Sequence, residues 1–426
     1  MKILVVGNGG REHALVWKLA GDSCRPQVFC APGNAGTAEA ATNVSVGAED
    51  VEGLLAWARE NRPDLTVVGP EGPLCMGITD RFEAEGLRVF GPSRAAAQIE
   101  GSKVFSKDVM EKAGVPTARS ASFSDAAQAL VYVRQTGAPI VVKADGLAAG
   151  KGVYVCKAVP EAEQAVRQIM VDKIYGGAGA SVLVEECLVG EEVSILALID
   201  GRQVVMLASA QDHKRVFNDD EGPNTGGMGA YSPAPVVTEA LWPVIRREVF
   251  DRVLSELRRR QIAYKGVLYA GLMLTASGPK VLEFNCRFGD PETQAILPRL
   301  KGDLIPALLA CAEGRLKDEM IAWKPEACAC VVMASGGYPG HYQKGKLVSG
   351  LKEAGAMSEV VVFHAGTVLQ EGKVVTSGGR VLGVTGLGSD LKTAVRRAYL
   401  AISKLRFDQA QYRTDIAARA LQAQLH

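Results

Sequence analysis

Apolar and polar positions follow two different rhythms along the chain, and the change of rhythm divides it. In the first hundred residues short apolar runs stop at glycine or proline: "KILVVGN", "QVFCAPGN", "LTVVGPEGP" and "LRVFGPS". Between them lie stretches with helical spacing, such as "REHALVWKLA" and "VEGLLAWARE". Unbroken apolar strands alternating with amphipathic helices predict a doubly wound parallel sheet, whose ligands lie off the carboxyl ends of the strands. Those ends carry "GNGGREH", "APGN" and "GPE".

After "GPSRAAAQIEGSK" the texture changes. "APIVVKADGLAAGKGVYVCKA" reads as strand, glycine-rich loop, strand, and "ASVLVEECLVGEEVSILALIDGRQVVMLAS" as a meander of three strands. Residues 209–233 show neither period, and so long an irregular stretch inside a compact domain predicts a functional loop, with disorder as the alternative. A helix is predicted from about 239 to 260, followed by the strands "GVLYAGLMLTA" and "PKVLEFNCR". From about 326 a smaller α+β unit follows, ending in an amphipathic helix capped by Ser389, with Leu391, Val395, Ala398, Ile402 and Leu405 on one face. The expected division is 1–100, 101–325 and 326–426.

Composition narrows the class. The 426 residues are 47% hydrophobic and 22% charged, the make-up of a soluble globular protein with room for about three domains. A net charge of +1 supplies no general attraction to nucleic acid or to an anionic membrane, so charged ligands must be met locally. No run of 18 apolar residues occurs, and glycine interrupts the N-terminal run at position 7, so a cytoplasmic protein is expected. Nine cysteines without a C-x-x-C pair read as reduced, buried thiols. The five histidines show no metal-ligand spacing, which favours magnesium over zinc.

Four motifs carry chemistry. In "GNGGREH" Glu12 stands where a dinucleotide fingerprint needs its third glycine, and "APGN" lacks the acidic residue that would hold a ribose. What remains is a helix start with Asn8, Gly9, Gly10 and Arg11, suited to a single phosphate; a tight turn is the alternative. "GLAAGKG" has three residues where a Walker loop needs four, glycine after Lys151, and strands on both sides. It reads as a flap whose Gly150, Lys151 and Gly152 amides close on phosphates while Lys143 reaches them from beneath; an ordinary hairpin turn is the alternative. "VLVEECL" offers backbone groups at Glu185, Glu186, Cys187 and Leu188 to an adenine edge, with Glu191 or Glu192 in reach of a ribose, unless these acids are simply solvated. In "KVLEFNCRFGDPE" strand alternation puts Glu283, Asn285 and Arg287 on one face and Leu282 and Phe284 in the core. Two hard oxygen donors two residues apart suit magnesium shared with phosphates, and the Arg287 fork suits a carboxylate; a salt-bridged exposed face is the alternative.

The order of these pieces resembles the ATP-grasp ligases. With "GNGGREHAL", "APGNAGT", "VGPE", "EGSK", "QDHKR", "GPNTGGMGAYSPAP" and "EFNCRFGDPETQ", the chain is similar to the stand-alone bacterial phosphoribosylamine–glycine ligase family. The resemblance implies a central ATP-grasp domain with a flap subdomain at about 120–190, and a ligase making glycinamide ribonucleotide from ATP, glycine and 5-phosphoribosylamine through glycyl phosphate. It implies Lys103 and Lys143 at the ATP phosphates, Glu185, Glu186, Leu188 and Glu192 at the nucleoside, Mg2+ (or Mn2+) on Glu283 and Asn285, and Arg287 on the glycine carboxylate. The phosphoribosyl group is expected at Asn8 to Arg11, Pro32, Gly33, Asn34, Gly69, Pro70 and Glu71, facing Asp212, His213, Lys214, Asn224, Gly226, Gly227 and Met228. His213 is the candidate general base or, alternatively, an anchor. Gly271 stands where many ATP-grasp enzymes place a further metal-binding Glu. A transient contact with the enzyme that makes phosphoribosylamine is a further expectation. Another ATP-grasp ligase or carboxylase acting on a different acid or amine, a nucleotide-binding regulator without turnover and, third, a nicotinamide dehydrogenase are the alternatives.

Overall fold

The computed structural model describes residues 1–147 and 152–423. Its N-terminal part is a five-stranded parallel sheet in the spatial order Thr42–Asn43, Gln27–Pro32, Lys2–Gly7, Leu65–Val68, Val89–Phe90. The first strand is apolar without alternation because it is covered on both sides: Ile3 and Val5 enter one apolar cluster, Leu4 and Val6 another. Connections leave this strand in opposite directions, so Asn8 and Gly69 to Glu71 lie at the switch point where such sheets open a crevice.

The central part holds two four-stranded antiparallel sheets. One is ordered Ser120–Phe123, Val182–Glu186, Ile140–Ala144, Val153–Cys156; the other Val204–Met206, Glu191–Asp200, Lys265–Thr275, Gly278–Asn285. The single meander expected over residues 180–209 is therefore corrected. Its first strand pairs in one sheet and its other two in the next, because Gly190 at the turn lies against the carbonyl of Leu274, where any Cβ would sit 2.2 Å from the oxygen. The helix expected at 239–260 runs over Leu241–Ile245, Arg246–Asp251 and Arg252–Arg259, with a π turn in the middle segment.

The stretch 209–233 is ordered. It forms the short strands Gln211–Asp212, Arg215–Phe217, Glu221–Asn224 and Gly229–Ser232, too brief to print a period on the sequence. Gly229–Ser232 pairs with Ala327–Ser335, so the C-terminal sheet is not confined to residues 326–426 but borrows two strands from this stretch. The closing helix Leu391–Ile402 is capped by Asp390, whose carboxylate accepts the Thr393 N–H at 2.7 Å, and not by Ser389. Among the described residues no helix is long and apolar enough to cross a membrane.

Candidate active site

A cavity of about 640 Å³ opens between the two central sheets, the crevice of the parallel sheet and the 212–226 stretch. Its floor is the strand Gly278–Asn285. There Gly271 pairs with Glu283 but the next residue, Leu272, pairs with Val281, so Leu282 is the extra residue of a bulge. The bulge overturns the simple alternation. Leu282 lines the cavity with Glu283 and Asn285, while Val281 and Phe284 fill the core. Gly271, directly opposite Glu283, leaves the room: a Cβ there would touch the Glu283 Cγ at 3.4 Å.

Cations gather around Glu283. Burial alone would raise its carboxyl, but Lys214, Lys143 and Lys103 outweigh that and hold it below the ordinary range. Lys143, on Ile140–Ala144, reaches the floor and donates to the Leu282 carbonyl at 2.9 Å. It also pairs with Glu185 at 2.6 Å, and Lys107 pairs with the other oxygen of Glu185 at 2.6 Å; all three side chains are buried. The carboxylate of Glu185 is thus committed to two lysines, leaving only its backbone for a nucleoside. Lys107 was not singled out from the sequence, although it follows Lys103 by one helical turn on Lys103–Ala113. Lys103 donates to the Gly146 carbonyl at 3.0 Å, at the root of the glycine-rich loop. Gly152, Glu186, Cys187, Leu188 and Glu192 line the cavity, whereas Gly150 and Lys151 lie outside the described residues.

The opposite wall is set by alternation along residues 212–214. Asp212 and Lys214 face the cavity, Lys214 pairing with Glu192 at 2.9 Å. Burial pushes the Asp212 carboxyl up to about 7; Lys214 pulls against this, and the nearby Glu292, Glu192 and Glu283 add to it. His213 points the other way. It is buried against Tyr231, its Nε2 accepts the Ala417 N–H at 3.3 Å, and desolvation with Arg413 nearby lowers it to about 4. The structure therefore withdraws His213 as a base and leaves the anchor. Met228 is likewise withdrawn: it is wholly buried against Val216 and Ala334. Gly227 serves packing, since its Cβ would strike Pro291 at 2.4 Å, while Asn224 and Gly226 line the cavity.

Arg287 is fully engaged by the protein. Its Nη2 donates to Glu100 at 2.7 Å and to Asn285 at 2.9 Å, its Nε to Glu71 at 3.2 Å and its Nη1 to the Phe288 carbonyl at 3.3 Å. Glu100, missed from the sequence although it sits in the quoted "EGSK", also accepts the Cys286 N–H at 2.7 Å. Glu292 was missed too, three residues beyond "RFG"; it accepts from Ser194 and Tyr269 at 3.0 Å each and lines the cavity.

The phosphate cradle expected on the parallel sheet is altered by Glu12. Its carboxylate folds under the loop and accepts the Gly9 N–H at 2.6 Å, taking one of the amides a phosphate would need. A Cβ on Gly69 would meet that carboxylate at 2.1 Å, which is why glycine stands there. Gly10 is buried against Gln294. The Asn34 side chain is spent on structure, donating to the Asn8 and His364 carbonyls at 2.9 Å and accepting from Gly36 and Thr37, and it holds the turn of Pro32 and Gly33 in place. Pro70 leads into Glu71–Cys75. Glu71 and Arg11 reach the main cavity, and Asn8 and Gly9 line a shallow neighbouring one with Arg380. As a carboxylate, Glu71 suits hydroxyl or ammonium donors and not the phosphate end of a phosphoribosyl group.

No group of three or more His, Cys, Asp or Glu that could hold a metal occurs among the described residues. The donor set at the floor fits a divalent cation only with help. Glu283 and Asn285 are two hard oxygen ligands beside lysines able to hold phosphates, the partial protein ligation that magnesium accepts.

Comparison with known proteins agrees with this architecture over most of the chain. Family models of phosphoribosylglycinamide synthetase match in three parts: the N domain over residues 1–100, the ATP-grasp (A) domain over 101–293 and the C domain over 328–419. A phosphoribosylamine–glycine ligase of Nostoc sp. is 53% identical over 98% of this chain and 99% of its own. One from Escherichia coli is 49% identical over 99% of each. The crystal structure of phosphoribosylamine–glycine ligase from Thermotoga maritima superposes with a TM-score of 0.85 at 34% identity, covering 98% of this chain and all of the other. A biotin carboxylase domain from Hydrogenobacter thermophilus, at 17% identity and a TM-score of 0.72 over 96% of this chain and 91% of its own, shares the fold alone. The chain belongs to the phosphoribosylglycinamide synthetase family, carbon–nitrogen ligases built on the ATP-grasp fold.

Proposed function

We propose that the chain joins glycine to 5-phosphoribosylamine with cleavage of ATP to ADP and phosphate, giving glycinamide ribonucleotide for purine synthesis. The observation that carries this reading is the meeting of Lys103, Lys143, Glu283, Asn285 and Arg287 in one cavity of a chain whose family models match residues 1–293 and 328–419. ATP with a divalent metal is the family's currency; Mg2+, with Mn2+ as the alternative, is assigned to Glu283 and Asn285. When bound, the cation offsets phosphate charge. Lys143 and Lys103 meet the triphosphate from below and the Gly152 loop from above, with the adenine edge on the backbone of Glu186, Cys187 and Leu188 and the ribose near Glu192.

A glycine carboxylate oxygen attacks the γ-phosphorus, forming the acyl phosphate and releasing ADP. The ribosylamine nitrogen then attacks the acyl carbon, phosphate departs, and the nitrogen gives up a proton. Neither step needs a covalent bond to the enzyme, so catalysis is positioning and charge neutralisation. Arg287 is assigned to the glycine carboxylate, and the phosphoribosyl group to the region of Arg11, Asp212, Lys214, Asn224 and Gly226. Hand-over of the amine by the enzyme that makes it has no support in this geometry and forms no part of the proposal. Measuring ADP formation with each substrate omitted in turn tests the reading. ADP should require both glycine and phosphoribosylamine; turnover with bicarbonate and aminoimidazole ribonucleotide in their place would overturn it.

A further inference from the structure

Glycine enters as a zwitterion, and the proposed function gives a partner only to its carboxylate. The Arg287 guanidinium is held by two carboxylates that are not equivalent. Glu100 is 9% exposed and tied twice, to Arg287 at 2.7 Å and to the Cys286 N–H at 2.7 Å. Glu71 is 28% exposed, faces the cavity, and touches Arg287 through one longer contact of 3.2 Å. Opening the second contact leaves Arg287 fixed by the first. We infer that Glu71 receives the ammonium of glycine, the zwitterion inserting into the Glu71–Arg287 pair with its carboxylate on the arginine.

Insertion of a zwitterion into an ion pair leaves every charge matched, so neither Glu71 nor Arg287 pays for desolvation alone. Most other carboxylates of the cavity are otherwise committed, and the exception, Asp212 on the opposite wall, is pushed towards its neutral form by burial. Glu283 sits among lysines, Glu192 pairs with Lys214, Asp290 with Arg380, and Glu292 with two hydroxyls. Glu71 is also held as an anion: burial would raise it, but Arg287 and Arg11 bring it down to about 2. The chemistry gains from this arrangement. An ammonium clasped by a carboxylate has no lone pair, so the amine of the bound glycine does not compete with its carboxylate as the phosphoryl acceptor.

The inference rests on the proposed function, and its test separates the two. Glycine is titrated into wild-type protein and Glu71→Gln, each with Mg2+ and a nonhydrolysable ATP analogue, and ADP formation with glycine is compared with that from glycolate, which keeps the carboxylate but carries a hydroxyl. Glu71→Gln should raise the glycine Kd at least tenfold, leave the Kd of the ATP analogue within threefold, and shrink the preference for glycine over glycolate at least tenfold. If Glu71 were only an internal competitor for Arg287, the same variant would bind glycine more tightly, and equal or tighter binding overturns the inference. Should Glu71→Gln fail to fold in a thermal melt, Glu71→Asp replaces it: weaker glycine binding with the glycine preference retained supports the inference, and unchanged binding overturns it. Wild-type protein that does not bind glycine sinks the proposed function instead.

Discussion

The sheet of Ser120–Phe123, Val182–Glu186, Ile140–Ala144 and Val153–Cys156 encloses an apolar cluster of its own, drawn from residues between Phe123 and Val184. The N-terminal parallel sheet and the sheet containing Glu191–Asp200 do the opposite and share two clusters, with Leu4 and Leu268 in one and Val5 and Val267 in the other. Polar contacts join the first sheet to the rest: Lys107 to Glu185 and Lys143 to the Leu282 carbonyl, both lining the cavity, and Ser102 to Asp145 at 3.0 Å beside it. An interdigitated apolar contact fixes geometry, whereas a polar contact exposed to a ligand changes its partners when the ligand arrives. The two walls of the cavity thus meet the rest of the molecule through two kinds of interface, one polar and one apolar.

The largest break falls on the polar interface. Glu185→Ala leaves Lys107 and Lys143 buried without their shared anion, and loss of one partner from a buried ion cluster costs about 3–5 kcal/mol. Urea denaturation should show that loss, and ATP with Mg2+ should recover more stability in the variant than in wild type, because the triphosphate offers the lysines a new counter-charge. Equal recovery in both would mean that the lysines do not face the phosphates.

The apolar body has its own weak point, in acid. His13 accepts the His364 N–H at 2.7 Å, and His213 accepts that of Ala417; both are buried and neutral, lowered to about 3 and about 4. For His213, burial and the repulsion of Arg413 and Arg419 outweigh the attraction of Asp220 and Asp415. A folded value below the unfolded 6.5 means that the unfolded chain binds the extra proton, so stability is full above 6.5 and falls as pH drops towards 4. At about 1.4 kcal/mol per unit, His213 alone accounts for about 3 kcal/mol. Denaturation from pH 7 to 4 should show the decline, and His213→Gln should flatten it by about one proton's worth; an unchanged slope would place the titration elsewhere.

Glu283→Gln removes a charge from the rigid floor without disturbing its packing. Turnover should fall about a hundredfold, equivalent to about 2.7 kcal/mol, with the melting temperature little changed. Activity within threefold of wild type would remove Glu283 from the metal role.

What could be read from the sequence divides along the same line. Strands of the parallel sheet are legible because an apolar run stopped by glycine needs no knowledge of its partners, and Lys143, Glu283 and Asn285 are legible because each motif is local. The sheet to which Val182–Glu186 belongs, and the bulge that turns Leu282 into the cavity, depend on register with residues far along the chain. The choice between base and anchor for His213 is not legible for a related reason: alternation gives its neighbours one side and the ring the other, but which side is the cavity is decided by the C-terminal segment at Ala417. Asp390 and Ser389 are adjacent cap formers, and only backbone geometry chooses between them.

The smallest expected effect sharpens the comparison most. Arg287 braces the rigid side, linking Glu71 and Glu100 of the N-terminal part to the strand that carries Asn285. Arg287→Lys keeps one positive charge but loses the planar fork, so it cannot hold Glu100, Asn285 and an incoming carboxylate together. The KM for glycine should rise about tenfold. In the proposed function the ATP phosphates are instead assigned to lysines tied to the separately cored sheet, so the KM for ATP should stay within about threefold. A parallel rise in both would mean that the guanidinium supports the whole floor, and that the two interfaces are not independent. An unchanged glycine KM would take the carboxylate off Arg287 and leave Lys214 as the cation to test next.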